Sequence, residues 1–141
     1  MGLLRRLFKG KNERKEPKEH RDILEELCGE DVALYEALST TLLLNPEEAV
    51  NEGINNIVKR ARLFERKRDF VKARIEYSLA IGVAMYEGKP NLVRRFSKKC
   101  AEIDKNYKFR KNFEFLAVKE NAEKAAKIAK EYYAQTTPSL S

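Results

Sequence analysis

The chain has 141 residues, 43% of them hydrophobic and 36% charged, with only six Gly, four Pro and two Cys. This is enough chain for one domain with a sizeable core, and the balance of apolar to charged residues excludes a disordered polymer. No apolar run approaches the roughly 20 residues of a membrane span. The formal net charge is +7, but it is laid down in blocks. Residues 1–18 hold seven basic and two acidic side chains, net +5, and residues 19–58 hold one basic and ten acidic, net −9. Residues 59–74 and 94–111 are each net +6. Blocks of this kind attract partners of opposite sign, whether phosphate, acidic peptide or anionic lipid.

Lys, Glu, Ala, Leu and Arg dominate, and no segment alternates apolar and polar residues with period two. The expected class is all-α, a compact antiparallel bundle of five to six helices. Residues 1–18 read as a basic amphipathic N-terminal segment and linker, 19–135 as a single helical domain, and 136–141 as a loose tail.

In the N-terminal segment Leu3, Leu4, Leu7 and Phe8 share one face, with Arg5, Arg6 and Lys9 around them and Gly10 after them. Such a segment suits docking in a partner's groove, lying on an anionic membrane surface or following RNA, and a loose tail or a helix folded onto its own domain is the competing explanation. It has neither the apolar core nor the cleavage site of a signal peptide. Arg6 stands where myristoylation requires Ser or Thr, so the expected location is cytoplasmic, with peripheral membrane contact through this segment as a variant.

A first core helix is predicted from His20 to Leu27, stopped by Gly29, and a second after an Asp31 cap. In Asn45-Pro46-Glu47-Glu48, Asn45 supplies a cap, Pro46 fits the first turn, and both acids favour the positive end of the helix dipole. A third helix is expected from Pro46 to about Lys67, with Ile54, Ile57, Val58, Ala61 and Phe64 on its core face. Asp69 caps a fourth, Phe70 to Glu87, that buries Ala73, Tyr77, Ala80, Ile81 and Ala84. After the Gly88 and Pro90 turn, a fifth helix to Asp104 carries Val93, Phe96, Cys100 and Ile103 on one face. The sixth is predicted from near Phe109 to about Gln135, with a buried stripe of Val118, Ala122, Ala125, Ala129 and Tyr132.

Ile57, Ala61 and Phe64, followed by Ala73, Tyr77 and Ala80, place small and aromatic residues at helical spacing on both sides of a short break. This resembles a tetratricopeptide repeat. The sequence departs from that pattern in having Arg60 at the usual first-helix Leu and Met85 where a Pro would follow. The longer second helix and a third carrying Phe96, Lys99, Cys100 and Ile103 also resemble a microtubule-interacting and transport (MIT) domain. The likeness covers about residues 50–105. It implies a module that binds a partner peptide or helix between its own helices.

Two basic faces are the candidate site. Lys59, Arg60, Arg62, Arg66, Lys67 and Arg68 on the third helix, with Arg94, Arg95, Lys98 and Lys99 on the fifth, form a patch for an anionic partner if the two helices are neighbours. A solvated surface balanced by the acidic block is the competing explanation. Tyr107, Phe109, Phe113 and Phe115, interleaved with Lys and Arg, could stack bases, but anchoring of the sixth helix accounts for them better. His20, the sole histidine, reads as a surface or capping residue. Cys28 and Cys100 read as buried thiols, with a bridge between them open as an alternative. No triad, carboxylate pair, metal-ligand spacing or phosphate-cradling loop is present, so neither an enzyme, a cofactor nor a small-molecule substrate is expected. The leading expectation is a non-enzymatic protein–protein interaction module. The alternative is an RNA-, DNA- or ribosome-associated protein that grips phosphates through residues 59–74 and 94–111.

Overall fold

The computed structural model describes residues 20–136. The N-terminal segment, with Leu3 to Lys9, lies outside the described residues, as do the side chain of His20 and the tail beyond Thr136. Among the described residues the chain is all helix, with no strand. Eight helices follow in order: α1 (His20–Cys28), α2 (Val32–Thr41), α3 (Pro46–Glu52), α4 (Ile54–Arg66), α5 (Phe70–Tyr86), α6 (Pro90–Ile103), α7 (Arg110–Leu116) and α8 (Lys119–Thr136).

Local chemistry sets several of these boundaries. Asp31 accepts the backbone N–H of Leu34 at 3.0 Å and Asp69 that of Lys72 at 3.2 Å, each satisfying a donor the first helical turn leaves free. Gly29 ends α1 in the left-handed region at φ +63°, a conformation that costs glycine nothing.

Two long predicted helices are each divided, which gives eight helices among the described residues where five to six were expected. The span from Pro46 to Lys67 breaks at Gly53, where φ is +92° and ψ 139°. No L side chain sits comfortably there, so α3 ends and α4 starts afresh. Asn45 makes no side-chain cap bond at the start of α3. The predicted sixth helix breaks at Ala117–Val118. Phe113 and Leu116 are buried on α7, and a straight continuation of their stripe would bury Glu120, Glu123 and Lys127. The break rephases the chain so that Ala122, Ala125, Ala126 and Ala129 face inward instead. Asn121 donates to the carbonyl of Phe115 at 3.0 Å and closes the end of α7. Val118 therefore lies in the turn, 47% exposed, rather than in the stripe.

Helix α5 is the axis of the fold. Its C-terminal half is apolar on all sides, with every residue from Ala80 to Met85 buried, and its N-terminal half buries Ala73 and Tyr77, as a helix packed on several faces must. It packs against α4, α6, α8, α3 and α2. Its neighbours meet it through small residues, Ala61 on α4 and Ala73, Ala80 and Ala84 on α5, all fully buried. Tyr77 stacks on Phe96 of α6 with ring centroids 6.0 Å apart.

The connection between α2 and α3 crosses α5 at Gly82. A Cβ there would lie 2.6 Å from Leu43 Cγ and 2.7 Å from the carbonyl oxygen of Thr41, so only glycine permits the crossing. The backbone N–H of Leu43 then donates to the hydroxyl of Tyr133 on α8 at 2.9 Å. Cys28 and Cys100 are buried free thiols. Among the described residues no helix is long and apolar enough to cross a membrane.

Candidate anion-binding groove

Helices α4 and α6 flank α5, and their outer turns form the walls of a groove of about 710 Å³. Arg62, Glu65 and Arg66 line it from α4, and Arg95, Lys98, Lys99 and Glu102 from α6. Tyr77 and Phe96 lie at its base. Helical periodicity selects these residues. Arg62 and Arg66 are one turn apart, and Arg95, Lys98, Lys99 and Glu102 follow at three- and four-residue steps on one side of α6. Five cations and two carboxylates give the lining a net charge of +3.

A hydrogen-bonded cluster closes the inner side of the groove. Glu65 accepts the Tyr77 hydroxyl at 2.8 Å and pairs with Lys99 Nζ at 2.9 Å. Burial works against ionisation of Glu65. The hydrogen bonds from Lys99 and Tyr77, with the positive charge of Arg62 nearby, outweigh it and hold the carboxyl below the usual glutamate range. Burial, followed by the hydrogen bond to Glu65 and then its charge, pushes Tyr77 up to about 12, so the phenol stays neutral and donating. Lys99 is therefore already committed to a carboxylate. Among the described residues, Arg66, Arg95 and Lys98 have no ion-pair partner.

The sequence-derived patch is thus only partly one surface. Arg62, Arg66, Arg95, Lys98 and Lys99 come together. Lys59, Lys67, Arg68 and Arg94 are exposed but do not line the groove. Arg60 points to the opposite side of α4, where it bonds to Glu52 of α3 and pairs with Glu76 of α5 at 2.9 Å. The guanidinium donates to the carboxylates of Glu52 and Glu76, and these bonds strengthen its hold on its proton. Glu65, Tyr77, Phe96 and Glu102 were not selected by sequence reasoning. The helical step from Arg62 and Arg66 to Glu65, and from Arg95 and Lys98 to Glu102, was the available signal.

The interleaved aromatics of the α6–α7 region anchor the bundle in the main. Phe113 is buried, Tyr107 and Phe115 are half-buried, and Phe109 is exposed. Tyr107 receives the guanidinium of Arg74 at 3.6 Å from its ring centre, while Arg74 Nε also bonds Asp104 at 2.8 Å. This stack ties α5 to the end of α6. Among the described residues no group of His, Cys, Asp and Glu could hold a metal ion. Comparison with protein-family models, with curated proteins and with solved structures finds no match to this chain.

Proposed function

We propose that the protein is a non-enzymatic interaction module that holds an acidic segment of a partner protein in the α4–α6 groove. The observation that carries this reading is the meeting of cations from two separate basic blocks across one concave surface, with Arg66, Arg95 and Lys98 unneutralised there. The finer likeness to a tetratricopeptide- or MIT-type unit belongs to the same reading. It is supported by the burial of Ile57, Ala61, Ala73, Tyr77 and Ala80. In this reading those residues build the scaffold, and the ligand meets the charged walls.

A nucleic-acid ligand fits the same groove less well. Tyr77 and Phe96 are only 2% and 7% exposed, so they offer no face for a base to stack on. Glu65 and Glu102 interrupt the positive walls, where a continuous phosphate backbone would meet repulsion.

The test is a titration of a fluorescein-labelled, glutamate-rich peptide against the protein at about 50 mM salt, beside a single-stranded RNA of similar length. The peptide is expected to bind saturably. The Arg66→Glu and Arg95→Glu double variant should weaken it at least roughly tenfold while the helical circular dichroism is unchanged. Failure of any acidic peptide to bind, or tighter binding of the RNA, rules the reading out.

A further inference from the structure

We infer that the preferred ligand of this groove is a peptide segment bearing a phosphomonoester dianion rather than one bearing carboxylates alone; this rests on the proposed interaction function. Three guanidinium groups, Arg62 and Arg66 from α4 and Arg95 from α6, line the two walls. Each guanidinium is a rigid fork that one carboxylate satisfies by itself. A phosphate carries up to two charges on three acceptor oxygens, so it can engage more than one fork at a single point.

The distribution of charge along the groove favours a compact ligand. At the inner side Lys99 is neutralised by Glu65 across 2.9 Å. The unopposed charge is left on Arg66, Arg95 and Lys98. Arg62 and Arg66 are separated by about 6 Å along their helix, and Arg95 and Lys98 by about 4.5 Å along theirs. Glu102 stands one turn beyond Lys98 and marks the far side of the positive zone. An extended run of carboxylates would press some of its charges against Glu65 or Glu102. A point dianion concentrates its charge at one place on the walls and need not span both carboxylates.

The experiment compares three labelled peptides of one neutral sequence that differ at a single central position, which is phosphoserine, Glu or Ser. The glutamate-rich peptide serves as a fourth probe. The phosphoserine peptide is expected to bind about tenfold more tightly than its Glu counterpart and to be displaced by inorganic phosphate. Arg66→Lys retains the charge but removes a fork, so it should cost the phosphopeptide several-fold and the glutamate-rich peptide, whose carboxylates can shift to the remaining cations, by less. Equal affinity for the phosphoserine and Glu peptides overturns the dianion inference while leaving the acidic-segment function standing. If no peptide binds, both fall. The same conclusion follows if the protein ignores every peptide yet sediments with vesicles containing phosphoinositide.

Discussion

Tyr77 donates its hydroxyl to Glu65 across 2.8 Å, from a ring that is 2% exposed to a carboxylate on the wall of the groove. Core and candidate site therefore share one hydrogen bond. Tyr77→Phe keeps the stack on Phe96 and removes only that bond. Its expected cost is about 1.5–3 kcal/mol, typical of a hydrogen bond to a charged acceptor and read from urea denaturation. A cost near zero would mean that water replaces the phenol at Glu65.

Glu65→Gln bears on binding. It releases Lys99 and removes a negative charge from the inner wall, so affinity for an acidic peptide should rise, by roughly threefold to tenfold. Arg60→Ala is the control. Arg60 faces Glu52 and Glu76, so the variant should lower stability and leave peptide affinity unchanged. A matching loss of affinity in Arg60→Ala would place the working surface on the other side of α4.

Gly82→Ala should destabilise the fold although alanine is the better helix former. Propensity favours Ala by about 1 kcal/mol, but the added methyl meets Leu43 Cγ at 2.6 Å and the Thr41 carbonyl at 2.7 Å. Overpacking of this kind costs about 1–3 kcal/mol, so a net loss is expected in a thermal melt. Adding Leu43→Ala should recover only part of it, because the backbone contact remains.

Arg74→Lys should prove far from conservative. Arg74 is bonded to Asp104 and laid over the Tyr107 ring, with its side chain only 13% exposed. A lysine holds the charge but cannot serve both partners in one plane. A loss of about 1–3 kcal/mol is expected, with Asp104 left incompletely paired. A thermal midpoint equal to that of the parent chain would show the stack to be dispensable.

Stability should fall at both ends of the pH scale, for opposite reasons. Tyr77 and Tyr133 are raised from 10.0 to about 12, and Cys100 from 9.0 to about 12, burial being the largest cause in each. Groups raised in this way contribute fully below their ordinary values, and the contribution is lost as pH climbs toward 12. Glu65 and Asp31 are lowered. Burial opposes the shift at Glu65 but is outweighed by Lys99 and Tyr77, whereas the Leu34 N–H is the leading cause at Asp31. Their contribution is present above the ordinary carboxylate range and is lost as pH falls below it. Denaturant midpoints measured from pH 3 to 11 should therefore form a plateau with two shoulders, and Tyr133→Phe should soften the alkaline one.

The features legible in the sequence are those decided within a few residues. Asp31, Asp69 and Gly29 act on their own backbone neighbourhood, and the small–aromatic spacing from Ile57 to Ala80 is a property of two adjacent helices. The Gly53 break was visible as a glycine inside a helical run, and the long apolar periodicity masked it. The Ala117–Val118 break has no Gly or Pro. Its signal is a clash of phase between the Phe113–Leu116 stripe and the alanine stripe that follows. The groove was legible as two basic blocks but not as a site. The side of α4 that an arginine occupies depends on the helix's rotation against α5, and that separates Arg60 from Arg62 although they are two residues apart.

The bond between Leu43 and Tyr133 joins residues 90 positions apart, and α1 also packs against α8. The run α4–α5–α6, by contrast, is held by contacts between successive helices. Contacts close in sequence form before those that must close a long loop, and domains begin to assemble as they are synthesised. The groove unit can therefore fold while its chain is still growing. The helices α1 and α2, which leave the ribosome before the groove unit, acquire their final seating last, once α8 has arrived to receive them.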